Sequence, residues 1–534
     1  MKETPLSPEH GRRTNVAQAK LVPATKIGGS ASGGEKRSSY GPSLLHSPGR
    51  LLEPLLNEIS RPGRRAFLLP ALDVPAVAPE RLLPAEMIRQ EPAPLPEVSE
   101  RDLVKHFMRL AHLNFSVETN FYPLGSCTMK HNPKVNEEIA ALSGFSRVQP
   151  YTPEEGTQGL LRLLFDLEQL MREILGMDAV TLQPAAGAHG ELTALFMAKA
   201  YHESKGHPRH KVVVPDSAHG TNPASASLCG FEVVEIVSTN RGRTSLKALA
   251  SAVDQDTAVF MMTNPNTLGL FEEEVLEIAQ LVHEKGGLMY LDGANMNALL
   301  GLYRPGDIGF DMVHVNIHKT FSIPHGSGGP GGGPVGVKAH LKPFLPGPVV
   351  VEQGEKYSLV SPGPSSIGRI RSFFGNTGAL VRAHAYIRAL GKEGLRQVAE
   401  GAILNANYLK SLLKGIYPIP VDEPCMHEFV ASASELKNGC GVKAMDIAKR
   451  LLDYGFYAPT ICFPLIVPEA LMIEPSETES REVLEAFADA LAAIAQEAKA
   501  NPGRVQGAPH RMPVTRLDEV LAAREPNLRW KTGA

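Results

Sequence analysis

Between residues 159 and 315 short apolar runs alternate with stretches of helical spacing, and this alternation constrains the fold of the chain more than any other feature. Residues 159–175 carry Leu160, Leu163, Leu164, Leu167, Leu170, Met171 and Ile174 on one helical face, and Gly176 stops the pattern. Residues 179–182 then predict a strand and 190–201 a helix. Residues 212–214, 231–237 and 258–263 predict strands, 273–284 a helix, and 288–291 and 312–315 two further strands. Apolar strands this short are buried on both faces. Interleaved with helices, they predict an α/β fold, a mostly parallel sheet with helices on both sides. In such sheets ligands bind beyond the carboxyl ends of the strands.

The last of these strands runs into Asn316, Ile317, His318 and Lys319, and a run rich in glycine and proline follows from Gly326 to Pro334. A lysine at the end of a buried strand is a poor structural choice, because ammonium is costly to bury and tends to lose its proton. A neutral amine is what Schiff-base chemistry needs, which makes Lys319 a candidate to carry pyridoxal phosphate (PLP). A lone lysine is more often a solvated surface group, so the argument needs an aspartate and a phosphate loop as well. Asp292 ends another strand, where its carboxylate needs a cationic partner such as a protonated pyridine nitrogen. Ala186, Gly187 and Ala188 join a strand to a helix. Their small side chains let backbone amides approach a phosphate, or they form a plain tight turn. His219, after a third strand, suits the face of an aromatic cofactor or a hydrogen-bonded core position. Thr263 ends a fourth strand and lines a pocket or a turn.

The remaining chain divides by composition. Residues 1–45, rich in Ser, Gly, Pro, Lys and Arg without apolar period, predict a disordered extension. Residues 51–101 alternate short apolar runs with prolines and residues 102–113 have helical spacing, and we expect 46–130 to be an extended segment wrapping a partner. The hydroxyl-rich loop before Lys130 either reaches a ligand or is an ordinary turn. Residues 131–345 form the large domain, 346–395 a linker loop and helix, 396–500 a small α/β domain, and 501–534 a tail. Helices are expected over 377–390, 395–413 and 445–453, and strands over 427–431 and 458–464. Residues 476–479 read as a capping box opening a helix that runs to about 499.

Several classes of function are disfavoured. The net charge of -3 gives no reason to expect nucleic acid or a membrane as partner. Five scattered cysteines fit reduced thiols rather than a disulfide framework or a zinc site, and no metal is expected. The absence of an apolar leader places the chain in the cytoplasm by expectation. The G-x-G-x-x-G match at 326–331 does not open a helix, so a dinucleotide site is not expected.

Several stretches together carry a resemblance: SRPGRR (60–65), YPLGSCTMK (122–130), YLDGANMNA (290–298), the block 314–338, LMIEP (471–475) and PVTRLDE (513–519). From about residue 50 to 530 the chain resembles the PLP-dependent P-proteins of the glycine cleavage system, in particular the lysine-bearing subunit 2 of the bacterial two-subunit form. The resemblance implies the PLP-dependent transferase fold type I, aspartate aminotransferase-like, with a smaller C-terminal α/β domain. It implies catalytic roles for Lys319, which carries the cofactor, for Asp292 at the pyridine nitrogen and for His219 stacked on the ring. Ala186, Gly187 and Ala188 would hold the phosphate, with Thr263, Ala294, Asn316 and His318 also around the cofactor. The family reaction is decarboxylation of glycine, with transfer of the aminomethyl group to the lipoyl arm of the H-protein and release of carbon dioxide. Because a disulfide is reduced, the enzyme is an oxidoreductase, a glycine dehydrogenase (aminomethyl-transferring, decarboxylating). The implied partners are P-protein subunit 1, two of each chain in a heterotetramer, and the lipoylated H-protein. The chain departs from the family at Ala185 and His189, where relatives often carry Asn and Gln. Competing possibilities are another fold type I decarboxylase, transaminase or desulfurase, and a non-catalytic scaffold half.

Overall fold

The computed structural model describes residues 53–91, 93–326, 329 and 331–528. The extension expected over 1–45 and part of the glycine run lie outside them. Seven strands form the main sheet: β1 (Ala179–Thr181), β2 (Lys211–Pro215), β3 (Glu232–Ile236), β4 (Thr257–Thr263), β5 (Leu288–Gly293), β6 (Met312–Val315) and β7 (Val335–Val337), in the order β1-β7-β6-β5-β4-β2-β3. Neighbours from β3 to β6 pair in parallel, and β7 runs antiparallel to both β6 and β1.

Successive side chains leave a strand on opposite faces, and here both faces are apolar. Val213, Phe260, Met289, Leu291 and Val313 face one core with Leu160, Leu164 and Leu167 of the helix Gln158–Leu175. Val212, Val214, Met261, Tyr290 and Met312 face a second core with Ala194, Leu195 and Ala198 of the helix Gly187–Ser204. Two buried faces explain why the strands read as continuous apolar runs. Gly176, at φ 67°, takes the left-handed conformation that ends the first helix.

Three strands form a second sheet after the hairpin of β8 (Val349–Gln353) and β9 (Lys356–Val360), which lies in the stretch expected to be a linker loop. These are β10 (Phe429–Ser432), β11 (Thr460–Ile461) and β12 (Ala470–Ile473), ordered β10-β12-β11 and antiparallel. The central strand β12 was not foreseen. Phe121, from the N-terminal segment, enters the core of this region and meets Phe487 edge-on at 5.0 Å. Full burial of a side chain of that size contributes about 1.5–3 kcal/mol. Leu124 then bridges to Ile473, which lays residues 126–128 against the end of β12.

The element Thr377–Leu413 breaks at Gly391 (φ 62°, ψ -171°), giving the two successive helices that the spacing predicts. The capping box at 476–479 is corrected. The helix is Arg481–Ala500, capped by the Ser480 hydroxyl accepting from the Val483 amide. Ser476 sits at φ 59° with its hydroxyl 3.0 Å from that of Thr478, and Glu479 precedes the helix instead of standing in its first turn. Among the described residues no helix is long and apolar enough to cross a membrane.

Candidate functional site

The parallel strands bring the expected residues to one end of the main sheet. Pairing aligns Thr263 with Asp292 and Asp292 with His314, so three polar side chains stand in a row across β4, β5 and β6. Asp292 is 2% exposed. The Ala294 amide donates to its Oδ1 at 3.0 Å, and the Asn222 amide group and the Thr263 hydroxyl donate to Oδ2 at 3.1 and 3.3 Å. Burial works against its charge. His314, the Ala294 amide, Lys319 and Asn222 outweigh it and hold the carboxyl below its ordinary range.

His314 fixes the row from the side. Its Nε2 lies 2.9 Å from Asn316 Oδ1 and 3.5 Å from Asp292 Oδ1, and its Nδ1 meets the Tyr290 hydroxyl. Burial lowers the His314 pKa and raises that of Tyr290, so Tyr290 keeps its proton and donates to Nδ1, while Nε2–H faces the oxygens.

Lys319 follows in the short helix Ile317–Thr320. Its side chain has no hydrogen-bond or ion-pair partner among the described residues, yet its charge acts on Asp292, His219, Glu191 and Glu428. A lysine among so many acceptors but bonded to none is poised for a covalent role. His219 sits at the mouth, its Nδ1 2.8 Å from the Thr221 hydroxyl, which donates to Glu191. Burial lowers its pKa, leaving the ring neutral. Burial and the nearby Asp292 push Glu191 up to about 7.

The turn at 186–188 opens the helix Gly187–Ser204, whose first amides have no partner within the helix. Ala186 and Ala188 are exposed, and Gly187 is required. A Cβ there would lie 2.3 Å from Asn316 Oδ1. The glycine run packs backbone to backbone against this turn, since a Cβ on Gly333 would lie 2.1 Å from the Ala186 carbonyl oxygen. His318 turns to that run, its Nδ1 accepting from the Gly332 amide at 3.4 Å. His189 Nδ1 accepts from the Ala185 backbone amide at 3.2 Å, a local bond between the two positions expected to differ from the family.

Other residues of this region were not foreseen. Lys130 is buried, and its Nζ lies 2.8 Å from Glu477, 2.7 Å from Asn297 Oδ1, 2.9 Å from the Thr320 carbonyl and 3.1 Å from the Tyr386 hydroxyl. It therefore anchors the helix that carries Lys319. Glu428 and Glu474, with His427, approach from the second sheet. They lie too far along the sequence from Ser126 and Asp292 for any spacing to announce them.

The chemistry of these residues matches that of a PLP-sized group. An ionised buried aspartate with no lysine or arginine in contact suits a ring cation. Asn222 Oδ1 is buried without a partner. Gly187 opens a backbone cradle at a helix start, where anions bind, and Lys319 is uncommitted. The residues fit the group.

Comparison with known structures defines the class first. The crystal structure of a glycine decarboxylase (P-protein) of the glycine cleavage system, in inhibitor-bound form, aligns with a TM-score of 0.67 at 23% identity, covering 78% of this chain and 95% of that one. A NifS-like protein aligns with a TM-score of 0.56 at 17% identity, over 71% and 99% of the two chains. The fold is that of the fold type I PLP-dependent enzymes. Residues 74–356 match the family described as glycine cleavage system P-protein, and 398–510 match glycine dehydrogenase, C-terminal domain. Probable glycine dehydrogenase (decarboxylating) subunit 2 of Chlorobium chlorochromatii is 58% identical over 89% of this chain and 98% of its own length. The protein of the same description from Thermotoga maritima is 55% identical over 89% and 99%. The chain belongs to the glycine cleavage system P-protein family.

Proposed function

We propose that the chain is the PLP-bearing subunit 2 of a glycine dehydrogenase (decarboxylating), and that the row of Thr263, Asp292 and His314 beside an uncommitted Lys319 carries this reading. Bound there, PLP supplies the electron sink for the pair released when the Cα–carboxyl bond of glycine breaks. Lys319 would hold the group covalently until the amine of glycine takes that place. Asp292 would balance the positive charge of the group, and His219 would cover it and keep water out. Ala186, Gly187 and Ala188 would hold the phosphate with their backbone amides, while Thr263, Ala294 and Asn316 keep Asp292 and His314 oriented. His318 supports the glycine run behind the lysine.

The acceptor is the lipoyl arm of the H-protein, which receives the aminomethyl group as its disulfide is reduced and carbon dioxide leaves. A cavity of about 350 Å³ between Tyr122, Thr128, Lys130, His318, Ser322 and His325 gives such an arm a way in. Subunit 1 completes the enzyme, two of each chain, in the cytoplasm. Within the segment 46–130, whose end from Phe121 to Lys130 packs into this chain, the stretch around Phe67, Leu68, Leu69 and Leu72, each at least 70% exposed, wraps that partner. Behind it stand the large domain at 131–345, the linker at 346–395, the small domain at 396–500 and the tail at 501–534. A desulfurase role is disfavoured by Cys127, whose thiol is pushed up to about 11 by burial and so stays protonated.

Exchange of labelled bicarbonate into the carboxyl group of glycine tests this function. With PLP, lipoylated carrier and subunit 1 present, the chain is expected to catalyse exchange, and Lys319→Ala to abolish it. A complete assembly that binds PLP through Lys319 yet exchanges nothing would overturn the glycine assignment.

A further inference from the structure

The reaction proposed above needs a proton that none of the residues assigned so far supplies. The Cα–carboxyl bond breaks and carbon dioxide leaves. The bonding pair forms a new C–S bond to one sulfur of a cyclic disulfide, and the S–S pair departs on the other sulfur. The carbon is oxidised and the disulfide reduced, and the departing thiolate takes up one proton. An alkyl thiolate is basic near neutral pH, so an acid placed beside it lowers the barrier.

The second sheet holds a buried carboxyl pair beside the site. Phe429 pairs with Ile473 across β10 and β12, so Glu428 and Glu474, one residue beyond on each strand, stand side by side. They are 0% and 1% exposed. The loop 126–128 lies across them. The Ser126 amide donates to Glu428 Oε2 at 2.7 Å, and the Ser126 hydroxyl lies 3.5 Å from Oε1. The Thr128 amide and hydroxyl donate to Glu474 at 3.0 and 2.5 Å. Ser126 and Thr128 hold left-handed backbone at φ 59° and 46° to make these bonds, a strain that a plain loop would relax. Asn295, three residues past Asp292, reaches Glu428 Oε1 at 3.5 Å, which ties the pair to the end of the main sheet. Both nitrogens of His427 are buried without a hydrogen bond among the described residues, Nε2 lying 3.9 Å from Glu474 Oε1. The carboxyl oxygens of the pair are turned to amide and hydroxyl donors, surroundings that suit a shared proton better than a metal ion.

We propose that Glu428 is the proton reservoir of the transfer step, and that Ser126, half-exposed at the site, relays its proton to the departing sulfur. The charged and titratable groups around Glu428 favour this. Two carboxylates side by side in the interior cannot both ionise. Burial and Glu474 push Glu428 well above the ordinary carboxyl range, against the Ser126 amide and Lys319. His427 is lowered by burial, while Cys127 and Cys425 are raised by it, so all three stay neutral and none competes for the role. After transfer, Ser126 regains its proton from Glu428, which is then recharged from solvent as the arm leaves.

The inference rests on the glycine-decarboxylating reading, and its test separates the two. Carboxyl-labelled glycine is given to the PLP-loaded chain assembled with subunit 1, with either lipoamide or its diselenide analogue as acceptor. A selenolate leaves as a stable anion and needs no proton. Glu428→Gln and Ser126→Ala are each expected to lose about a hundredfold in labelled carbon dioxide release with lipoamide. With the diselenide they should lose less than about fivefold, and the double variant should be no worse than either single one. Equal losses with both acceptors would make the two residues structural and overturn the proposal, as would no loss with either. In the chain without substrate or cofactor, the parent-minus-variant infrared spectrum of Glu428→Gln near neutral pH is expected to show one protonated-carboxyl band, those of Glu168 and Glu191, also raised by burial, cancelling in the difference. A difference spectrum without that band contradicts the assignment. A parent assembly that releases no label with either acceptor overturns the glycine reading itself, and the proposal with it.

Discussion

Asp292 and Glu428 are both carboxyls sealed inside the protein at the end of a sheet, and they are held in opposite charge states. Asp292 is surrounded by His314, the Ala294 amide, Lys319 and Asn222, and together these offset the penalty of burial. Glu428 also receives an amide and feels Lys319, but its neighbour across the strand pair is Glu474, and burial prevails. Depth alone therefore says little about the charge of an acid. The neighbours decide, and the neighbours follow from strand register. One sheet sets an anion beside a threonine and a neutral histidine, and the other sets an acid beside an acid. The proposed reaction uses both states, an anion to balance a cationic ring and an acid to protonate sulfur.

The largest expected effect comes from removing the anion. Asp292→Asn should lower glycine decarboxylation by about a thousandfold while the absorbance of PLP on Lys319 persists; a loss under about tenfold would break the comparison at its first term. Next is the partly buried Glu477, whose charge is matched by Lys130. Lys130→Met strands that carboxylate and should cost about 3–5 kcal/mol in denaturant unfolding. A smaller effect follows from linkage at Glu428. Its folded pKa lies above the unfolded one, so its contribution to stability is full at low pH and is lost as pH rises from the ordinary carboxyl range toward the folded value. Glutamine has no such loss, so the Tm of Glu428→Gln relative to the parent should climb as pH is raised. Glu191 acts with the same sign up to about pH 7, and calorimetry across that range separates the two through Glu191→Gln. The smallest effect is expected at the cradle, where Gly187→Ala drives a Cβ toward Asn316. About tenfold weaker PLP binding, measured by fluorescence titration, would match an overpacking cost of about 1–3 kcal/mol.

The main sheet and its candidate residues were legible because each is local in sequence. Thr263, Asp292 and Lys319 each sit at or just after an apolar run that could only be a buried strand. The strand β7 was missed, being three residues long with a glycine at its centre. The strand β12 was missed although its residues belong to a stretch quoted for the family resemblance. The misplaced cap at 476–479 shows how a local pattern fails. Ser476 and Glu479 have the right spacing for a capping box, but Glu477 between them is drawn to a buried lysine more than three hundred positions earlier, and the helix starts only after Ser480. Glu428 and Glu474 were illegible for the same reason, since their partners Ser126 and Thr128 come together with them only through β10, β12 and the bridge at Leu124.

The central claim is that Lys319 carries the cofactor. Borohydride reduction of the PLP-loaded assembly, followed by peptide mapping, tests it most directly. The account predicts the pyridoxyl label on the peptide containing Lys319, with glycine present in excess before reduction protecting that lysine. Label on Lys130 or any other lysine, or no label on this chain, would contradict it.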